Sequence, residues 1–448
     1  MAAAAACKSK SVDPPPPAPV STPVDAAAPR TTPPSPWIED DFSAAVARAR
    51  AEKKLVFVDA WATWCHTCKA MRAFVLTDDV VRESSLRDRL VFVSIDTERP
   101  ENAAACAKLP LTVLPTFFVV DPRDERIVAR WEGAASPQQL RAFFDDATAA
   151  SAADGGALDG WRAALRDGDR AEAAGKHAEA AALYEQALAL APADWTRRPD
   201  VLVLRMGALA RAHDWTACLD LARREHTHTG RSSSATDFAT VAVECEERAK
   251  TRDPVLEAAL SSELGALAKD TGAPLSADDR SDALRMVWDL RERGGDAAGA
   301  KAAANDRLTM LEAAAATVSD PEIASTFDGA RLETLLYLDR PADAVILFEQ
   351  REKELPLDYN SSYRLGKAYF ESERFADALA ATDRALGHAY GARKGQILGF
   401  RADVLVRLGR TKEAKAAVAE QLALSAALPE GQRHSALEKA VSDRLAKM

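Results

Sequence analysis

The chain has no excess of positive charge. Its 448 residues include 58 lysines and arginines against 68 aspartates and glutamates, which gives a formal net charge of −10. Proteins that bind nucleic acid need a basic surface to meet the phosphates, often with interleaved aromatic residues. Aromatic residues make up only 6% of this chain, and no such patch occurs. The composition therefore argues against nucleic acid as a partner.

The sequence also has no apolar run long enough to span a membrane, which takes about 20 residues. Cysteine is scarce, with six residues in the chain. Near the CxxC at residues 65–68 there is no second CxxC and no pair of histidines at ligand spacing. Because structural zinc takes four ligands, we expect no metal at this motif. We also expect no cofactor. The length predicts two to four domains.

The CxxC follows an apolar run at residues 55–58. This order predicts a strand, a turn and then the start of a helix. The spacing of the two cysteines places both sulfurs on one helical turn, close enough to bond. A helix N-terminus favours the thiolate, which is the species that attacks disulfides. The motif therefore predicts a dithiol that cycles between the thiol and disulfide forms.

Further landmarks make residues 37–150 resemble the thioredoxin family. Asp59 lies six residues before Cys65, where thioredoxins carry a buried acid. Residues 113–116 are similar to the cis-proline turn of the family, and residues 133–144 to its last turn and closing helix. The segment at 74–81 is similar to that of bacterial envelope reductases, including the C-terminal domain of the disulfide-interchange reductase. The resemblance implies an α/β thioredoxin-like domain.

The sequence departs from the family at two places. His66 and Thr67 stand between the cysteines, where thioredoxins usually have Gly-Pro. Phe92 is interpreted as the position where a thioredoxin often has a lysine near the buried acid. The exchange chemistry tolerates both changes, but they alter the charges near the dithiol.

The resemblance implies roles for the catalytic residues. Cys65, at the helix start and with the most exposed sulfur, is expected to attack, and Cys68, one turn deeper, to resolve the mixed disulfide. Asp59 is expected to be partly buried, with a raised pKa, and to take the proton from Cys68. The alternative for Asp59 is a structural acid that only hydrogen-bonds the turn.

Five further residues are expected to contact the client protein: Trp61, Trp64, His66, Leu114 and Pro115. A cis bond before Pro115 would shape the groove, and one tryptophan would pack in the core while the other covers the sulfurs. His66 either supplies positive charge beside the Cys65 thiolate or is an exposed histidine with a pKa near ~6.5.

The other cysteines carry weaker signals. Cys106 is expected to be a small buried residue on a helix, or alternatively a third redox thiol. Cys218 and Cys245 lie in helical stretches and are expected in the core.

From about Trp161 onward the pattern is helical and repeats. Ala344 and Ala378 are 34 residues apart and occupy the same place in two similar units. These units resemble tetratricopeptide repeats, in which small residues let two antiparallel helices approach closely. The resemblance is strong over residues 342–424, fair over 170–224 and weak over 232–326, where Gly294-Gly295 suggests a break. It implies an all-α repeat superhelix over 158–448, clearest at 330–424.

Residues 1–36 are expected to be a disordered linker, because proline, alanine and serine dominate from Lys8 to Pro36. Cys7 follows a run of small residues and precedes this polar tether, a pattern that looks like the lipid-attachment cysteine of a bacterial lipoprotein. A signal peptide would need a basic start and a longer apolar run. Either the start is truncated or misassigned, or Cys7 is incidental.

These features predict a thiol–disulfide oxidoreductase whose repeats recruit a peptide or protein partner. Its substrates would be protein disulfides, and an upstream thiol would supply electrons. The expected location is the bacterial envelope or periplasm, with a possible membrane tether through Cys7 only; the cytoplasm is the alternative. The alternative function is a repeat-based binding scaffold with a redox-sensitive thioredoxin-like module, and the repeats could also be a mere spacer.

Overall fold

The structure is a computed structural model that describes residues 35–81, 83–152, 158–429, 432–433 and 435–447. Cys7 and all of the predicted linker except Ser35 and Pro36 lie outside these ranges. No helix within the described ranges combines the length and the apolarity needed to cross a membrane.

The N-terminal part is built on a mixed sheet with the strand order β1-β3-β2-β4-β5. The strands are β1 (Trp37–Glu39), β2 (Leu55–Trp61), β3 (Leu90–Asp96), β4 (Thr116–Asp121) and β5 (Arg126–Glu132). The first three run parallel, whereas β4 is antiparallel to β2 and β5 to β4. Strands β2, β3 and β4 are almost entirely buried, which explains why they are near-continuous apolar runs.

Six helices belong to this part: α1 (Phe42–Glu52), α2 (His66–Ala70), α3 (Asp78–Val81), α4 (Ser84–Arg87), α5 (Ala103–Cys106) and α6 (Pro137–Ala152). A π-helical turn at Met71–Val75 extends α2. On one face of the sheet Phe57, Phe92 and Phe144 meet edge to face, with ring centroids 5.1–6.5 Å apart. This aromatic core fixes the sheet from which the CxxC segment leaves.

The rest of the described chain is helical. Its helices are α7 (Gly160–Ala173), α8 (His177–Leu190), α9 (Arg198–Arg211), α10 (Trp215–Glu225), α11 (Ser234–Ala249), α12 (Pro254–Lys269), α13 (Ala277–Arg293), α14 (Ala297–Ala316), α15 (Pro321–Ala324), α16 (Asp328–Tyr337), α17 (Pro341–Glu354), α18 (Tyr359–Glu371), α19 (Phe375–His388), α20 (Gly391–Arg407), α21 (Thr411–Ala427) and α22 (Ser435–Lys447).

These helices pack as neighbouring antiparallel pairs of the tetratricopeptide type. Ala344 on α17 and Ala378 on α19 are fully buried, as the repeat pattern predicts for small residues between close helices. The glycines at 294–295 do not mark a break in the array: they form the turn between α13 and α14, with Gly295 at φ +80°. The weakly patterned middle is therefore paired like the rest.

The fold class agrees with the sequence analysis, namely a thioredoxin-like mixed sheet followed by many paired helices. All strands of the described chain lie between Trp37 and Glu132, and α7 begins at Gly160. The boundaries at 37–150 and 158–448 stay a prediction.

Candidate functional site

The CxxC lies where the sequence places it, at the start of α2 directly after β2. Cys65 is the N-cap residue of α2, and its Sγ accepts a hydrogen bond from the Cys68 amide at 3.1 Å. The two cysteines form a disulfide, with their Cα atoms 5.2 Å apart. An amide aimed at the Cys65 sulfur stabilises negative charge there, so the geometry favours Cys65 as the thiolate of the reduced pair.

Cys65 is the more exposed of the two cysteines, as expected, although both are buried. Cys65 is 5% exposed and Cys68 is fully buried. Trp61, Trp64 and Leu114 pack around the pair. The expectation that one tryptophan lies in the core is wrong, because both are half-buried at the site.

The turn that faces the cysteines carries the expected cis peptide between Leu114 and Pro115. The Pro115 carbonyl accepts a hydrogen bond from the Gly133 amide at 2.9 Å, which ties this turn to the end of β5. Leu114, in the turn before β4, therefore packs against the pair, whereas Cys65 follows β2. The client-binding roles of Leu114 and Pro115 stay predictions.

Asp59 is 1% exposed, deeper than the partial burial expected for it. Burial raises the pKa of this carboxyl to about 7, the charge of Arg72 opposes that rise, and Glu39 adds to it. Neither carboxylate oxygen has a hydrogen-bond partner within the described ranges. The residue opposite Asp59 on β3 is Ser94, and Phe92, two residues earlier on the same strand, is opposite Phe57. The assignment of Phe92 to the position of the family's lysine stays a prediction.

Asp59→Asn should change how stability depends on pH. An acid with a pKa near 3.8 when unfolded and about 7 when folded binds more protons in the native state between those values. The free energy of unfolding of the native protein therefore falls as pH rises through this window, by up to about 1.4 kcal/mol per pH unit from this group. Urea unfolding of both proteins from pH 4 to 8 should show the variant with the shallower decline. Parallel curves would contradict the assignment.

His66 has a partner that the sequence does not indicate. Its Nδ1 lies 2.9 Å from an oxygen of Asp278 on α13, and the side chain is half-buried. The negative charge of Asp278 raises the pKa of the imidazole to about 10, against the opposing effect of burial. His66 is therefore cationic at neutral pH and paired with Asp278, so it is not an exposed histidine of ordinary pKa. Its effect on the Cys65 thiolate stays a prediction.

The described residues contain one His/Asp group with metal-ligand proximity. His66, Asp278 and Asp282 each offer one ligand atom, and these atoms lie within 4.8 Å of one another. The ion pair between His66 and Asp278 already accounts for two of the three residues. We draw no metal site from this group.

Helices of the array contact the residues around the CxxC. Thr63 Oγ1 and Tyr359 OH share a hydrogen bond of 2.6 Å, and the Asn360 amide donates to the Thr63 carbonyl at 3.3 Å. Lys69 donates to Ser325 Oγ at 3.1 Å. The first turn of α18 and the end of α15 therefore lie against the segment that holds the dithiol.

A second group of contacts lies at the end of β3. The Tyr390 hydroxyl donates to Asp96 at 2.6 Å, and the Arg393 amide donates to Glu98 Oε2 at 2.7 Å. Gly391 has φ +58°, and a Cβ there would collide with the Glu98 backbone carbonyl, so this close approach requires glycine. Glu98 also accepts a hydrogen bond from the Trp64 indole at 2.9 Å. The repeat helices thus contact both the CxxC segment and the end of β3 in their own chain.

The remaining cysteines fall into two classes. Cys106 is free and buried at the end of α5, as expected, and burial raises the pKa of its thiol to about 11. Cys218 on α10 and Cys245 on α11 are fully buried, as expected, but they also form a disulfide that the sequence analysis did not predict. Their positions on neighbouring helices, 27 residues apart, are the signal that could have indicated it.

Comparisons with known proteins agree with this geometry. The family profile described as thioredoxin-like matches residues 37–122. The thiol:disulfide interchange protein DsbD of Tatumella citrea is 29% identical over 79 residues, 18% of this chain and 14% of that protein. Chloroplastic thioredoxin Y1 of Arabidopsis thaliana is 34% identical over 93 residues, 21% of this chain and 49% of that protein. The chain thus spans about half or less of the length of these relatives.

Two solved structures with tetratricopeptide repeats are similar to the chain. One is a tetratricopeptide repeat protein from Parabacteroides merdae, with 10% identity and a TM-score of 0.43, covering 64% of this chain and all of that one. The other is the TPR2AB domain of yeast Sti1 in its pHSP90 complex, with 12% identity and a TM-score of 0.25, covering 64% of this chain and 97% of that one. Residues 37–122 are therefore a thioredoxin-like domain with its CxxC at 65–68, and helices paired in the manner of tetratricopeptide repeats follow it.

Proposed function

We propose that this protein is a thiol–disulfide oxidoreductase that reduces or exchanges disulfides in client proteins. One observation carries the proposal: Cys65 and Cys68 are bonded to each other at a helix start, against the turn that contains Leu114 and Pro115. Two electrons open such a pair into a dithiol, and two electrons leave when it closes again. A structural disulfide has no need of this location.

The reaction runs in two balanced steps. The Cys65 thiolate attacks one sulfur of the client disulfide, a mixed disulfide forms, and the other client sulfur leaves as a thiolate. Cys68 then loses its proton and attacks Cys65 Sγ, which releases the second client thiolate. The client gains two electrons and the Cys65–Cys68 pair loses two. An upstream thiol donor must return the pair to its reduced form for the next turnover.

Asp59 is suited to accept the proton of Cys68. A general base works best when its pKa is near the working pH, and burial raises the pKa of Asp59 to about 7. Its oxygens have no hydrogen-bond partner within the described ranges, so they are available to a proton carrier. We assign Asp59 this role, either directly or through a water molecule.

His66 is suited to tune the pair. Its imidazolium, maintained by Asp278, supplies positive charge next to Cys65 in the chain. Positive charge stabilises a thiolate, and a stabilised reduced form makes the pair more oxidising. We therefore expect a less reducing potential than the one a thioredoxin has.

The proposed role of the repeats is to support the segment that carries the CxxC and to recruit client proteins to it. Hydrogen bonds from Tyr359, Asn360 and Tyr390 place the array directly beside the dithiol, so a client bound there is delivered to Cys65. The second candidate is a binding scaffold with a redox-sensitive module. The same contacts favour it, because a change of conformation on oxidation of Cys65 would reach the helices through them.

The variant Cys65→Ser separates these two functions. As an oxidoreductase, the full chain should reduce a protein disulfide with a dithiol as donor, and Cys65→Ser should bring the rate down to that of the donor alone. Cys106→Ala is the matched control, because its thiol is buried away from the pair, and it should keep the activity. If Cys65→Ser matched the native rate, the proposal of an oxidoreductase would be contradicted, and the binding scaffold would remain as the proposed function.

We also propose a location in the bacterial envelope. Disulfides persist in oxidising compartments, and the buried Cys218–Cys245 bond is best explained by such a place. Lipid attachment at Cys7 is part of this proposal and rests on the sequence alone. Fractionation of cells that express the native chain and Cys7→Ala should find only the native chain with the membranes. Equal distribution would contradict the tether.

A further inference from the structure

A cleft of about 540 Å³ opens beside the cis-proline turn. One wall comes from the thioredoxin-like domain and includes Thr112, Val113 and Gly133, and the other from the array and includes Trp215, Asp237 and Val241. Its volume is typical of sites that hold a ligand. Val113 is joined to Leu114, which packs against the cluster that holds the dithiol, so the cleft adjoins the turn that covers the pair.

Part of the cleft is apolar and accessible. Val113, the residue before Leu114, is 45% exposed, which is a large fraction for an apolar side chain. Val241 and Trp215 face the same space from α11 and α10. Such a surface suits the side chains of an extended segment that brings a cysteine to the pair.

Asp237 lies against the turn that contacts Pro115. A Cβ on Gly133 would lie only 2.8 Å from Asp237 Oδ2. The carboxyl group of Asp237 therefore lies against the backbone of Gly133, where a side chain would collide with it. Gly133, at φ +82°, donates to the Pro115 carbonyl at 2.9 Å. One residue therefore separates this carboxylate, supplied by α11, from the turn that covers the dithiol.

No cation pairs with Asp237 among the described residues. The other acids of the cleft are paired: Glu132 has Arg211 at 3.6 Å, and Glu244 has Arg248 at 3.8 Å.

The charges that act on the Asp237 carboxyl are all negative and come from Asp279 and Asp282 on α13 and Glu132 on β5. Burial and these neighbours hold the pKa of Asp237 well above its ordinary value. None of the charges that act on Asp237 is a cation that would stabilise its ionised form.

We propose that this cleft binds the client segment next to the attacked cysteine and that Asp237 selects a segment with a lysine or arginine there. The inference rests on the proposed oxidoreductase function and names its substrate class. A basic side chain would favour the ionised form of Asp237 and pair with it, and its aliphatic part would pack on Val113. The pair formed is a charge-assisted hydrogen bond in a partly buried place, worth about a tenfold preference.

The test compares disulfide-linked peptides that differ only in the residue beside the cysteine, which is lysine, glutamine or glutamate. The full chain, with a dithiol donor, should show kcat/KM about tenfold higher for the lysine peptide than for the glutamine peptide, and the lowest value for the glutamate peptide. In Asp237→Asn the ratio between lysine and glutamine peptides should fall to about one.

Asp306→Asn is the matched control. Asp306 is an exposed acid on α14 outside the cleft, so its loss changes the net charge equally and should leave the preference intact. Similar kcat/KM values for all three peptides with the native chain would overturn the cleft assignment while the oxidoreductase function stands. The assignment would also fall if Asp237→Asn kept the native ratio. If no peptide were reduced, both the function and the inference would fall.

Discussion

Cys68→Ser should accumulate a covalent complex with a client protein through Cys65. In the native chain the second cysteine attacks from within the same helical turn, and such an intramolecular step has an effective concentration far above that of an external thiol. The Cα atoms of Cys65 and Cys68 lie 5.2 Å apart, so the Cys68 sulfur can reach a mixed disulfide at Cys65. Without Cys68 the mixed disulfide has no internal route to resolve. Non-reducing electrophoresis and intact mass should show it only in this variant.

Cys65→Ser is the control for this experiment. Cys68 is fully buried, so a client sulfur cannot reach it, and no complex should form through it. Cys106 is also buried, with a thiol whose pKa is raised to about 11, and it offers no competing nucleophile at neutral pH. Equal capture of client by both variants would show that the order of attack is wrong.

Removing the Cys218–Cys245 disulfide should cost roughly 3–4 kcal/mol of stability. The bond closes a segment of 27 residues between α10 and α11, and the loop-closure entropy of that length sets the magnitude. Alanine replaces both cysteines with little change in volume at fully buried positions. Urea unfolding followed by helical circular dichroism should show a lower midpoint for the double variant.

Cys106→Ala is the matched control for that experiment, because it removes a buried thiol that is not bonded to another residue. Its midpoint should stay close to the native one. Should the double variant unfold at the native midpoint, the pair would not be bonded in the protein. That result would also remove the structural support for an oxidising compartment.

The local features of the site could be predicted from the sequence. The spacing of the CxxC after an apolar run predicts its place at a helix start, and the repeat pattern predicts the burial of Ala344 and Ala378. The resemblance to thioredoxins predicts the cis bond before Pro115 and the buried acid at Asp59. Spacing, periodicity and family motifs are all visible in a single sequence.

The contacts that cover the site could not be predicted. Asp278 lies 212 residues from His66, and Tyr359 lies 296 from Thr63, so no local pattern relates them. The burial of Cys65, the charge on His66 and the cleft at Asp237 all depend on how the array packs on the sheet. Pairing Asp59 with Ser94 depends on strand register, which one sequence does not determine.

The most direct test of the central claim is the reduction potential of the Cys65–Cys68 pair. The full chain is equilibrated in defined thiol buffers, and the fraction of oxidised pair is read by alkylation and mass. We predict a reversible two-electron couple between about −270 and −120 mV, less reducing than thioredoxin because His66 is cationic. A pair that stayed bonded, or stayed open, across that whole range would contradict the oxidoreductase account.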